Sequence, residues 1–288
     1  MPFRFLATIL ATAVAAAGAL LGACHSPPAQ GTAPANGYLV EAVRYGTLPA
    51  FPVRGLVLGA DSARRLDIAV MVWLLRAPGR TVLVDAGFYR DKFIQRWKPT
   101  GFVRPSEAVA AAGVRPEEVT DIVLSHVHWD HMDGVDLFPR ARVWLQRAEY
   151  EYYVGDDGSA RHPGIDPEDA AILARLRTAG RLELVDGDAR EILPGITVYT
   201  GGRHTYASQF VGVRTSAGTV VVASDNAYLY ENLERHAAIA QTFDAQSNLA
   251  AQARMLELAA SPRLVVPGHD ALVFTRFPRP GGGVARIE

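Results

Sequence analysis

The stretch "LSHVHWDHMDG" at positions 124–134 puts His126, His128, Asp130 and His131 within six consecutive residues, directly after the apolar run "DIVL" at 121–124. The chain has 288 residues and eight histidines, and three of those histidines stand here. A lone histidine is ordinarily a surface or core residue. Four groups that can all bind a metal, crowded onto one strand end, ask for a metal. Imidazole and carboxylate are the ligands zinc uses when thiolates are absent.

Working outward, other apolar runs also finish in His or Asp. "VLVDAG" ends at Asp85, "VVVASDNAY" carries Asp225, "LVVPGHD" reaches His269, and His204 follows "VYTGGR". Loops at strand ends bring residues distant in sequence onto one rim. The Val/Ile/Leu-rich runs predict strands over 67–77, 80–87, 121–126, 141–146, 182–187, 196–201, 209–215, 218–225 and 263–269. "TSAGT" at 215–219 reads as a hairpin turn. Helices are expected over 106–112, 167–179 and 245–260, the last with an apolar stripe of Leu249, Met255, Leu256 and Ala259 and a stop at Pro262. His236 is expected in a charged helical stretch and His162 in a loop, both away from the metal. Strands alternating with helices give mixed sheets covered by helices.

Three protein ligands per ion leave room for water. Asp130 and His131 can serve one ion while His126 and His128 serve its neighbour, and a carboxylate from elsewhere, Asp225, is the natural bridge. Two ions about 3.5–4 Å apart hold a hydroxide between them, because bound water ionises near neutral pH.

This constellation resembles the metallo-β-lactamase superfamily over nearly all of 38–288. "HVHWDH" matches its H-x-H-x-D-H, and His204, Asp225 and His269 follow in the family's order. The resemblance implies an α+β fold, an αββα sandwich of two mixed sheets packed face to face with helices outside. It implies one metal on His126, His128 and His204, another on Asp130, His131 and His269, Asp225 bridging, and Asp85 supporting a ligand from behind. Two divalent ions, zinc by ligand type, are the implied cofactors.

Within that superfamily the chain looks most like N-acyl homoserine lactone lactonases. In these the bridging Asp is followed three residues later by a Tyr that reaches the substrate, and "SDNAY" supplies Asp225 and Tyr228 at that spacing. Where the branch usually reads "TPGHQ", this chain has "HTYASQF". The implied reaction is addition of a metal-held hydroxide to a lactone carbonyl, with Tyr228 donating to its oxygen and Asp130 or Asp225 moving the proton. The alternatives are a thioesterase of glyoxalase II type, a β-lactamase, a phosphotriesterase, or a non-catalytic metal-binding scaffold. A β-lactamase with a Cys ligand is excluded, because Cys24 is the only cysteine. Phe88, Tyr89, Phe93, Trp97 and Phe102 cluster after "VDAG" as candidate lid residues over an acyl chain.

Lys and Arg number 29 against 30 Asp and Glu, so no basic excess points to nucleic acid. The partner expected is a small lactone or ester. Residues 1–23 read as an export signal, and Leu21-Gly22-Ala23-Cys24 resembles the bacterial lipobox, with Cys24 as the lipidated residue. Residues 24–37, rich in Pro, Ala and Gly, read as a tether before a domain at 38–288. Export with a lipid anchor in the cell envelope follows. His25 after the Cys, in place of the retaining Asp, favours the outer membrane.

Overall fold

Strands β1 (Leu39–Pro52) and β2 (Arg65–Ala77) form the long antiparallel pair on which the fold is built. In β2, Val70, Val72 and Leu74 enter one core, while Ala69, Met71, Trp73 and Leu75 enter another. Successive side chains of a strand point to opposite faces, so an unbroken apolar run needs cover on both sides. The computed structural model describes Met1 and residues 37–288. The proposed signal, Cys24 and nearly all of the tether lie outside the described residues.

The chain continues through β3 (Arg80–Val84), β4 (Asp121–Val123), β5 (Arg142–Gln146) and β6 (Leu182–Val185), then β7 (Arg190–Leu193), β8 (Ile196–Thr200), β9 (Gln209–Thr215), β10 (Gly218–Ser224), β11 (Val265–Pro267) and β12 (Val284–Ile287). Seven strands make one mixed sheet in the order β12-β1-β2-β3-β4-β5-β6, with β3 to β6 parallel. Five make the second, β11-β10-β9-β8-β7, with only the β10–β11 pair parallel. The helices are α1 (Asp91–Trp97), α2 (Pro105–Ala111), α3 (Trp129–Met132), α4 (Arg147–Tyr153), α5 (Pro167–Thr178), α6 (Tyr230–Glu234), α7 (Ala245–Leu258) and α8 (Val273–Arg276). Val109, Tyr153 and Leu173, from α2, α4 and α5, pack on one face of the large sheet. Trp73, Val84, Val211 and Val222 fill the space between the sheets, and Met255 of α7 joins them from the far side. The result is the expected αββα layering. Among the described residues no helix is long and apolar enough to cross a membrane.

Several predicted strands end early, at Val84, Val123, Ser224 and Pro267. The residues beyond leave the ladder, which frees Asp85, His126, Asp225 and His269 to turn inward. Strands β1, β7 and β12 were not legible as strands. In β1 the alternation is broken by bulges at Arg44/Gly46 and Leu48/Phe51 and by Glu41, which is buried against Arg76 at 2.5 Å. His236 is not helical. It follows α6 in a left-handed turn, φ 49°.

Of the stripe expected on helix α7, Met255 is buried and Leu256 and Ala259 pack partly buried against the core, but Asn248, Ala251 and Gln252 make up the rest of the buried face. The Asn248 amide is satisfied at both ends, whereas Gln252 uses its Nε2 and leaves Oε1 without a partner. Asn248 Oδ1 accepts from the Ile239 amide at 3.0 Å, and its Nδ2 donates to the Asn226 carbonyl at 2.9 Å. Gln252 Nε2 donates to the Ala237 carbonyl at 3.1 Å.

A buried charge cluster ties α1 and α5 to the 124–134 loop. Arg90 donates to Asp133 and, at 2.8 Å, to Asp169, and both carboxylates are fully buried. One guanidinium faces these two buried carboxylates as well as Glu168 at 3.2 Å and Asp136 at 3.5 Å nearer the surface, and Asp169 Oδ2 has no hydrogen-bond partner. Burial and the neighbouring Asp133 push the Asp169 carboxyl up to about 8, against the pull of Arg90. The folded protein therefore keeps a proton that the unfolded chain loses near pH 4. This contribution to stability falls as pH rises between those values. Asp169→Asn cannot ionise, so its melting temperature should match wild type near pH 4, pass it as pH rises, and exceed it most above about pH 8, by about 2–4 °C per kcal/mol. A difference that does not change with pH would refute the shared proton.

Candidate metal centre

The 124–134 loop leaves β4 and turns immediately into α3. His126 is fully buried, while His128, Trp129 and Asp130 are half-buried. Asp130 and His131 sit on one helical turn, yet both aim at the same place, with Oδ2 of one 3.7 Å from Nε2 of the other. Gly134 has no room for a side chain, since a Cβ there would lie 2.2 Å from the Ala86 carbonyl oxygen. That close approach brings the loop against the end of β3.

Asp85 follows β3 with φ 62°. Its carboxylate accepts from the Ser125 amide and hydroxyl at 2.8 and 3.0 Å and from the Ser224 hydroxyl at 2.8 Å. It also meets His131 Nδ1 at 2.8 Å. Ser125 belongs to the large sheet's side and Ser224 ends β10 of the small one, so Asp85 fastens both sheets where they meet the loop. His204 follows β8 on a loop opened by Gly201 and Gly202. A Cβ at these glycines would lie 2.2 Å from Asn226 Oδ1 and 2.4 Å from Asn248 Cα. The Gly202 amide donates to Asn226 Oδ1 at 2.7 Å. His269 follows β11, where a Cβ on Gly268 would come within 2.7 Å of Asp225 Oδ1.

All seven residues singled out from the sequence come together, in two groups. In the first, His126 Nε2 lies 3.1 Å from His128 Nδ1, which lies 2.8 Å from His204 Nε2. Asp225 Oδ2 completes it at 3.3 Å from His204 and 3.7 Å from His126. In the second, His131 and His269 present Nε2 to Asp225 Oδ1 at 3.2 and 3.0 Å and to Asp130 Oδ2 at 3.7 and 3.6 Å. An ion with tetrahedral ligands at about 2.0–2.1 Å sets them about 3.3 Å apart. The observed separations scatter around that value, and Asp225 turns one oxygen to each group. His131 Nε2 and Asp225 Oδ1 are buried and close no hydrogen bond, even with each other. Two orphaned atoms of opposite polarity side by side are costly unless something between them uses both. Two groups of His and Asp thus fit a binuclear metal site.

The outer nitrogens are held in turn, which fixes the rings. His126 Nδ1 meets Ser125 Oγ at 2.9 Å, His204 Nδ1 the Gln241 carbonyl at 2.8 Å, and His269 Nδ1 the Ala69 carbonyl at 3.0 Å. Burial and the crowd of neighbouring imidazoles hold His126 well below the usual range, and likewise His128, so these rings are neutral, the form that ligates. Burial alone would lower His131, but Asp225, Asp130 and Asp85 outweigh it and hold that ring well above its usual value. Burial would raise Asp225, and the imidazoles of His131 and His269 hold it well below.

A cavity of about 390 Å³ opens onto His128, Asp130, Asp225 and His269. Tyr228 lines it, 3% exposed, with its hydroxyl 3.3 Å from His204 Nδ1. That nitrogen already donates to Gln241, so it has no lone pair for the phenol proton. Burial, then Asp225 and Asp130, push the phenol well above its usual pKa, and it stays protonated. One wall is apolar, with Leu48, Leu56 and a stack of rings, while Arg96, Asp166 and Gln241 add polar groups elsewhere in the lining. Phe51 stacks on Trp97 at 6.0 Å, Trp97 on Trp129 at 5.4 Å, and Trp129 on Phe93 at 4.8 Å. Of the aromatic cluster expected as a lid, Phe93 and Trp97 reach this wall. Phe88 is fully buried in the core with Phe102 packed on it, and Tyr89 bonds Asp136 at 3.1 Å.

Sequence reasoning missed Glu149, Asn226 and Asn248. Glu149 is fully buried, and its burial pushes the carboxyl up to about 7 against three donated hydrogen bonds. Asn226 directly follows Asp225, and the Gly201-Gly202 pair was the available sign of a loop packed against something.

Fold and ligand set together define a metal-dependent hydrolase. Residues 66–269 match the model of the metallo-beta-lactamase superfamily, and the chain belongs to that superfamily. Its relatives include an N-acyl homoserine lactonase of a Bacillus species, 28% identical over 71% of this chain and 82% of the relative. An N-acyl homoserine lactonase of Agrobacterium fabrum is 28% identical over 53% of this chain and 59% of its own length. Among solved structures, an N-acyl homoserine lactone hydrolase with N-hexanoyl-L-homoserine at its catalytic metal centre superposes with a TM-score of 0.69. It is 20% identical, over 84% of this chain and 97% of that one.

Proposed function

We propose that the protein opens the lactone ring of N-acyl homoserine lactones, with His126, His128 and His204 holding one zinc ion, Asp130, His131 and His269 a second, and Asp225 bridging. The observation that carries this reading is the phenol of Tyr228, protonated and 3.3 Å from a His204 nitrogen that cannot accept its proton, in a cavity with an apolar aromatic wall that ends at the ligand groups. Zinc bound there supplies Lewis acidity and a water that ionises near neutral pH. The chain's own residues do the rest. Leu48, Leu56 and the ring stack take an acyl chain and exclude water. Tyr228 donates to the carbonyl oxygen as it gains charge. Asp130, half-buried at the cavity, takes the proton of the attacking water and returns it to the ring oxygen as the acyl–oxygen bond breaks. The product is an N-acyl homoserine, the class of molecule bound in the solved relative.

The test is a substrate panel of acyl homoserine lactones, thioesters, β-lactams and phosphotriesters, run with and without a chelator. Lactone turnover should dominate and disappear on chelation. A thioester or β-lactam hydrolysed far faster than any lactone would overturn the substrate while leaving the hydrolase. We propose further that Cys24 is lipidated and anchors the protein in the cell envelope, favouring the outer membrane. Cys24→Ala should move it out of the membrane fraction, and a variant that fractionates like wild type would place the anchor elsewhere.

A further inference from the structure

Glu149, on α4, belongs to neither ligand group. Its Oε1 accepts from Thr205 Oγ1 at 2.6 Å and from the Val127 amide at 3.3 Å, and its Oε2 accepts from the Ala207 amide at 2.7 Å. Val127 stands between His126 and His128, and Thr205 follows His204. One carboxylate therefore joins the two chain segments that carry all three imidazoles of the first group.

The donors facing it are neutral, and a fully buried carboxylate without a cation is an expensive way to tie two loops. A neutral residue would be cheaper if folding were the only demand. The second group has a carboxylate of its own, Asp130, whereas the first has three imidazoles and only a share of Asp225. A negative charge behind the first group offsets the charge of an ion there, in the way that groups behind a ligand tune the metal.

We infer that Glu149 is a positioning residue that holds His126, His128 and His204 on one ion and sets the affinity of that position alone; this rests on the binuclear reading above. Glutamine cannot replace it. Whichever way its amide turns, an NH₂ replaces one acceptor and meets a donor from Val127 or Ala207.

The experiment is zinc titration of the full chain by chelator competition, together with melting of the metal-free protein. Wild type should bind two ions; if it does not, the binuclear reading itself fails. Glu149→Gln should weaken one of them about 10–100-fold and leave the other unchanged. At pH 8, where the carboxyl is ionised, the metal-free melting temperature should stay close to wild type, because loss of the buried charge offsets the donor that the amide leaves facing Val127 or Ala207. In a His269→Ala background, where the first group is the intact one, Glu149→Gln should weaken binding by the same factor. In a His204→Ala background it should do nothing. Equal weakening of both ions, two wild-type affinities, or a metal-free melting temperature that falls with affinity would overturn the inference. Thr205→Val removes one donor to the same carboxylate and keeps the test open should Glu149→Gln fail to fold. It should weaken the same ion less, and an unchanged affinity would count against the role.

Discussion

Asp225→Ala should leave a folded protein that no longer holds two ions and has lost hydrolysis by more than about 10³-fold, beyond the ~10²–10³ that one lost oxyanion donor costs. No other residue takes part in both groups. Its Oδ2 stands 3.3 Å from His204 and its Oδ1 3.0 Å from His269. Removing it leaves three imidazoles in one group and Asp130 with two imidazoles in the other, and it removes the shared atom pair that sets the groups side by side. The damage should be local, because Asp225 lies beyond the end of β10 and its carboxylate closes no strand pairing. Circular dichroism should therefore match wild type. Asp225→Asn sharpens the point. The amide keeps the shape but offers one acceptor, so one position should survive and the other fail. Metal analysis after dialysis, with kcat/KM on the same samples, reads both. An alanine variant that retains two ions and full rate would remove Asp225 from the centre.

The parts of this site that were legible from sequence share one property. His126, His128, Asp130 and His131 are adjacent, and Asp85, His204, Asp225 and His269 each follow an apolar run, so strand ends alone place them on one rim. The bridging geometry of Asp225 could be guessed from chemistry, because three ligands per ion leave a place for a shared carboxylate. Supporting residues carry no such mark. Glu149 stands in a stretch where no helix was expected, and its partners Thr205 and Ala207 lie far along the chain. Asn248 and Gln252 occupy the buried face of α7 because loop backbones need acceptors and donors there, a demand that hydrophobic periodicity cannot express. Strand β1 was hidden for a related reason. Its bulges and the Glu41–Arg76 pair interrupt the alternation by which a strand is recognised, although its pairing with β2 is the longest in the fold.

Tyr228→Phe separates the metal from the chemistry. The substitution removes one hydroxyl, leaves the ring between His204 and His269, and touches no ligand atom, so two ions should remain bound. The phenol has no acceptor in the resting site, since His204 Nδ1 donates to Gln241 at 2.8 Å. Its loss should therefore cost nothing in stability, and the melting temperature should hold or rise slightly. In the reaction the hydroxyl would meet an oxygen that gains charge only as the tetrahedral species forms. An interaction made only in that state lowers kcat and kcat/KM together when it is lost, with KM little changed. Two ions held by these groups would share the charge, so the cost should fall below the ~10²–10³ of a sole donor, to about tenfold or somewhat more. Stopped-flow or pH-stat rates on a medium-chain acyl homoserine lactone, with metal content measured on the same protein, give both numbers. An unchanged kcat would remove Tyr228 from catalysis. A raised KM at constant kcat would make the phenol a contact for bound substrate, equally strong before and during the reaction. A loss of metal would mean that the 3.3 Å approach to His204 holds that ring in place. Only a fall in kcat with both ions retained fits a donor to the developing oxyanion.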